Sequence, residues 1–130
     1  MNWINDYLFT RYENHGRGPD AFDCWGLVRD ALYNHFDVPL LESYGLVHPD
    51  NKHEMTKSYR GEVRHFLPGK AQSGAVAACF RGCQLIHVGL CVSPFKVLHT
   101  SRKYGPSLDA LRVFSRQFTR VEFYIYAGNH

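Results

Sequence analysis

The sequence has no run of 18 or more apolar residues, so no segment reads as a membrane-spanning helix. It also lacks any block of five or six like charges, because its 15 Lys and Arg residues are scattered among 12 Asp and Glu residues. That argues against a nucleic-acid binder, which concentrates basic residues in a stripe with interleaved aromatics. Cysteine is sparse, four in 130 residues, too few for a disulfide-stapled scaffold. There is no repeat and no low-complexity tract. The stretch Met1-Asn2-Trp3-Ile4-Asn5-Asp6 lacks the basic-then-apolar build of a secretory signal, so the expectation is synthesis in a cytoplasm without an export signal.

What is present suits one compact domain over residues 1–130: 45% hydrophobic residues, 15% aromatic and 21% charged. At this size roughly two-thirds of the extended-chain surface can be buried, so neither metal nor disulfide is needed to complete a core. The formal charge of +3 is a mild bias that favours approach to anionic polymers.

Apolar spacing predicts a short helix over Trp3 to Phe9, then a loop over residues 13–20 that holds Gly16, Gly18 and Pro19. Trp25, Leu27, Val28, Leu32 and Phe36 recur at three- and four-residue intervals, giving a helix from about 23 to 36 with Asp23 as its cap. Residues 37–52 read as an irregular connection. A second amphipathic helix is expected from about His53 to Leu67, stopped by Pro68-Gly69. Strand-like runs follow at 75–80, 85–92, 96–100 and 121–126, with turns at Arg81-Gly82 and Ser93-Pro94-Phe95. The Arg81-Gly82 turn would pair residue 80 with 83 and 79 with 84. Tyr104-Gly105-Pro106 reads as a turn, and 108–118 as a short helix or an extended arm. Helices first and an antiparallel sheet afterwards define an α+β domain.

Cys24 falls one residue after the expected cap, where the free N–H groups and positive end of a helix lower a thiol's pKa and can form an oxyanion hole. His87 interrupts the apolar run Leu85-Ile86-His87-Val88-Gly89-Leu90 and is the candidate base. His99, twelve residues on in Val97-Leu98-His99-Thr100, belongs to the next strand and can hold the second nitrogen of His87. Singly, each residue is more often inert core than catalytic. The combination of helix-start cysteine and two strand histidines is the stronger signal. Cys79, Cys83, His87 and Cys91 also recur every four residues. That stripe would grip zinc only on a helix, and the segment reads as a hairpin, so no metal site is expected.

Asp23-Cys24-Trp25-Gly26-Leu27-Val28 resembles the DCxGLV signature of NlpC/P60 cysteine peptidases. Gly74-Ala75-Val76, His87-Val88-Gly89-Leu90 and Val97-Leu98-His99 resemble the family's later motifs in the same order, and Tyr12 resembles the tyrosine preceding the nucleophile. Gly16-Arg17-Gly18-Pro19-Asp20 ahead of Phe22-Asp23-Cys24-Trp25-Gly26 is similar to phage and prophage members associated with tail tips. Two positions depart from the pattern: Trp25 stands where Ser is common, and Ala75 where an acidic residue is usual.

The resemblance implies a papain-like core and hydrolysis of peptidoglycan stem peptides between D-γ-glutamyl and a diamino acid. Cys24 would be the nucleophile, His87 the base and His99 its orienting partner. Tyr12 and the Cys24 backbone N–H would hold the oxyanion. Asp23 would meet the free amine of the substrate, or serve only as a helix cap, and Trp25 would face the substrate. No cofactor, metal, nucleic acid or membrane span is implied. Tail-tip proteins are the implied partners, with synthesis in a host cytoplasm and action at the periplasm or cell wall from a virion tail. A structural tail component with little turnover, or a papain-like amidase or acyltransferase, would carry the same motifs.

Overall fold

The computed structural model describes residues 2–45 and 51–128, so Pro49 of the expected connection lies outside the described residues. Helix α1 (Asn2–Leu8) leads into two short parallel strands, β1 (Arg11–Tyr12) and β2 (Ala21–Phe22), that bracket the glycine-rich loop. Helix α2 (Cys24–His35) begins where the sequence placed it, with Asp23 accepting from the Gly26 N–H at 2.8 Å. Its inward stripe is sealed: Leu27, Val28, Ala31 and Leu32 are at most 1% exposed. Truncating such a leucine to alanine costs about 2–5 kcal/mol.

Helix α3 (Lys52–Glu62) is shorter than expected. A 3₁₀ turn at Val63–His65 ends it, and Phe66–Gly69 becomes strand β3. The chain at Leu67 precedes proline, which favours extended backbone, and Pro68 has no N–H to donate. An edge strand tolerates that loss, and β3 lies at the sheet's edge.

Strands β4 (Val76–Arg81), β5 (Gln84–Ser93), β6 (Lys96–Ser101), β7 (Gly105–Ala110) and β8 (Arg120–Tyr126) complete an antiparallel sheet of order β3-β8-β4-β5-β6-β7. The α+β class stands. The expected turn at 104–106 lies at 102–104, with Gly105 and Pro106 beginning β7, and the 108–118 stretch divides into the end of β7, a short helix α4 (Leu111–Ser115) and a turn. The β4–β5 hairpin pairs Arg81 rather than Cys79 with Gln84, so the turn falls at Gly82-Cys83 and the pairing is displaced by two residues from the expected one. A bulge then sets Phe80 opposite Leu85 but Cys79 opposite His87. That extra residue on β5 reverses which face its side chains take, as bulges do.

The sheet is covered on both faces. Val76, Ala78, Val88, Leu90 and Leu98 pack under α1, α2 and α3, whereas Ala75, Ala77, Cys79, Cys91 and Val97 pack with Phe114 of α4. Cys83 is exposed at the hairpin turn, apart from the buried Cys79 and Cys91.

Candidate active site

Three positions bring the expected nucleophile, base and oxyanion donor to one place. Cys24 is the first residue of α2, His87 stands beside the β5 bulge and Tyr12 ends β1. All three line a cavity of about 240 Å³, together with Lys52, Thr100 and Arg102. Two glycines make the approach possible. A Cβ on Gly26 would sit 2.1 Å from the Gly16 carbonyl oxygen, so the loop before Cys24 can rest on the helix start only if residue 26 has no side chain. A Cβ on Gly89 would meet Val97 at 2.6 Å and both His99 and Phe114 at 3.3 Å, so this glycine makes room for the second histidine.

The histidines are joined as the sequence indicates. His87 Nε2 lies 2.9 Å from His99 Nδ1, and His99 Nε2 lies 2.6 Å from Asp109 Oδ2. A carboxylate only accepts, so His99 Nε2 carries the proton and His99 Nδ1 keeps a lone pair. That lone pair accepts from His87 Nε2–H, which leaves His87 Nδ1 as the basic nitrogen. Ser107 donates to the other oxygen of Asp109. Burial would raise the Asp109 pKa, but hydrogen bonds from Ser107 and His99 outweigh it and hold the carboxyl below its ordinary range. Below the rings, Phe114 meets His99 edge to face at 4.7 Å and Phe118 stacks on His87 at 5.9 Å.

Asp109 and Phe114 were not singled out from sequence. Both fall in the 108–118 stretch that reads as a short helix or an extended arm, and the pairing of His99 with Ser107 across β6 and β7 is what brings Asp109 to the ring. A carboxylate two positions from a strand partner of a candidate histidine is a signal only once β7 is recognised as a strand.

The electrostatics correct one expectation. Cys24 lines the cavity but is only 8% exposed. Burial, then the charge of Asp23, pushes its thiol up to about 11, although the backbone N–H groups of Val88 and Trp25 and the charge of Lys52 pull the other way. The helix-start effect is present but desolvation exceeds it. Burial, then His99 and Lys52, lowers His87 to about 3. The resting pair is therefore a neutral thiol and a neutral imidazole. Burial, then Cys24 and Asp23, pushes Tyr12 up to about 12, so its phenol stays a donor across the working pH range.

Asp23 is 4% exposed and its Oδ1 serves the helix cap and accepts from Arg17 Nη1 at 2.6 Å. Arg17 also donates to the carbonyl oxygens of Gly16 at 2.7 Å and Ser43 at 2.7 Å, fastening the glycine-rich loop and the 37–45 segment to the cap. These contacts give Asp23 a helix-capping role. Trp25 donates from Nε1 to the Glu42 carbonyl at 2.9 Å. With Cys24, Met55, Phe66 and Tyr124 it lines a second, largely apolar cavity of about 100 Å³ between the helices and the sheet.

No protein-family profile matches the chain, and no curated protein matches it. Among solved structures, the chain is similar to NlpC2 from Trichomonas vaginalis, with a TM-score of 0.63 at 18% identity. The alignment covers 99% of this chain and 45% of that one, so the chain spans less than half the length of its structural neighbour. The fold is α+β and resembles that of this NlpC2. No helix among the described residues is long and apolar enough to cross a membrane.

Proposed function

We propose that the chain is a cysteine peptidase that hydrolyses the amide between D-γ-glutamate and a diamino acid in peptidoglycan stem peptides. The observation that carries this reading is the cavity shared by Cys24, His87 and Tyr12, with His87 backed by His99 and Asp109. Cys24 Sγ attacks the amide carbon while His87 Nδ1 takes the thiol proton. Because both groups rest neutral, the proton moves with the attack rather than before it. Tyr12 donates to the oxygen that becomes negative, a contribution of the kind worth about 10²–10³ in rate. The tetrahedral adduct collapses to a thioester as imidazolium returns the proton to the leaving amine. Water, deprotonated by the same nitrogen, then releases the acid and restores the thiol.

The resemblance of the Gly16–Gly26 segment to tail-tip proteins supports mounting on a phage or prophage tail, with such proteins as partners and the cell wall as the place of action. A γ-D-glutamyl-diaminopimelate peptide offered to the wild type and to Cys24→Ala tests the activity. Release of the diamino acid by the wild type alone is expected. Equal silence from both overturns the hydrolase and favours the structural tail component.

The apolar cavity beside Cys24 favours a second reading, transfer of an apolar acyl group from the same thioester to an amine or alcohol. Product masses decide, since hydrolysis adds water to the acyl fragment and transfer joins it to the acceptor.

A further inference from the structure

The hydrogen bonds that orient His87 do not end at the carboxylate. Ser107 stands directly across from His99 in the β6–β7 ladder, and Asp109 follows two residues on, opposite Val97. Residues two apart on a strand share a face, and diagonal neighbours on adjacent strands lie within reach of long side chains. An imidazole, a hydroxyl and a carboxylate therefore meet on one face of the sheet. His99 Nε2 lies 2.6 Å from Asp109 Oδ2, and Ser107 Oγ donates to Asp109 Oδ1 at 2.5 Å.

The position of the carboxylate gives that hydroxyl a task. β7 is the last strand of the sheet, and the Asp109 side chain is 31% exposed against 9% for His99. The terminal torsion of a carboxylate is broad, and water competes for both oxygens. Ser107 occupies one oxygen and leaves the other facing the ring. Against burial, which raises the Asp109 pKa, the hydrogen bond from Ser107 is the larger of the two that lower it, ahead of that from His99. Were the carboxylate to turn away, His99 Nε2 would lose the acceptor that keeps its proton there. In a share of molecules the proton would sit on His99 Nδ1 and donate to His87 Nε2, leaving the His87 proton on Nδ1. That is the nitrogen the proposed reaction needs bare.

We propose that Ser107 is a positioning residue: its hydroxyl fixes the Asp109 carboxylate so that His99, and through it His87, holds a single tautomer. The proposal rests on the hydrolase reading only where it calls His87 the base, since the tautomer is a property of the resting protein.

The test reads the tautomers and the turnover separately, in the wild type, Ser107→Ala and Ser107→Thr. Long-range proton–nitrogen correlation on isotope-labelled histidine rings reports which nitrogen of His87 and of His99 carries the proton at neutral pH. Expected are one tautomer in the wild type, with His87 protonated on Nε2, a mixture in Ser107→Ala, and the wild-type state in Ser107→Thr, which keeps the hydroxyl. On a γ-D-glutamyl-diaminopimelate peptide, kcat should fall about threefold to tenfold in Ser107→Ala at unchanged KM, the scale of one hydrogen bond, and recover in Ser107→Thr. Unchanged tautomers in Ser107→Ala, or a loss of kcat that Ser107→Thr does not restore, overturns the positioning role while leaving the hydrolase standing. Tautomers that mix in Ser107→Ala and recover in Ser107→Thr, in a protein whose wild type cleaves nothing, support the positioning role and overturn the hydrolase.

Discussion

At the residue scale, a single acceptor sets the chemistry. Asp109 fixes the proton on His99 Nε2, and through it the free nitrogen of His87. Asp109→Asn keeps the volume but removes the charge and lets an amide donor compete, so the preferred tautomer is lost in a fraction of molecules. A fall in kcat of roughly tenfold to a hundredfold with little change in KM is expected, smaller than for a carboxylate in direct contact with the base. Steady-state kinetics check it, and a change confined to KM would contradict the positioning role. The depressed pKa of His87 has its own signature. The proposed base works when unprotonated, so activity is expected to be lost only as pH falls through a value near 3, far below the ordinary histidine range. The kcat/KM profile should stay flat from pH 7 down to about 5 on its acid side, and a limb near 6.5 would show an imidazole open to water.

Cys24, His87 and His99 were legible because each interrupts a regular pattern: a thiol at a cap, two imidazoles in apolar strands. Their ionisation was not legible, since the same cap that favours a thiolate lies under enough protein to disfavour it.

At the element scale, α2 was readable from its stripe and its cap, while β3 and β7 were not. Phe66 and Leu67 fit a helical face, but the pairing of Phe66 with Tyr126 and Leu67 with Ile125 across β3 and β8 outweighs that local pattern. For β7, Gly105 and Pro106 signal a turn, and only partners on β6 make them the first residues of a strand. Sequence periodicity does not carry such distant pairings. The α2 cap should be costly to disturb, because Asp23 satisfies both the Gly26 N–H and the Arg17 guanidinium. Loss of a cap costs about 0.5–2 kcal/mol. Stranding the partly buried Arg17 adds to it, so Asp23→Ala should destabilise by about 2–4 kcal/mol in urea unfolding. A cost under about 0.5 kcal/mol, within the range of ordinary surface changes, would show that neither contact matters.

At the scale of the whole molecule, the sheet separates two cores and the site lies where both reach it. Cys24 belongs to the helix-covered core, while His99 rests on Phe114 of the α4 core. In the proposed mechanism, catalysis and stability are thereby coupled through His87. Its folded pKa lies below that of the unfolded chain, so between those values the unfolded state binds more protons. The stability it contributes is present above about 6.5 and is lost as pH falls toward 3. The melting temperature should drop between pH 7 and pH 5, and drop less in His87→Gln; identical slopes would place the proton uptake elsewhere.

The most direct measurement concerns the sulfur itself. A mixture of protein and γ-D-glutamyl-diaminopimelate peptide, quenched in acid within one turnover, is digested and weighed by mass spectrometry. An acyl mass is expected on the peptide that contains Cys24, labile to hydroxylamine and absent from Cys24→Ala. Cleavage that persists in Cys24→Ala, or an acyl group on any other residue, would contradict it.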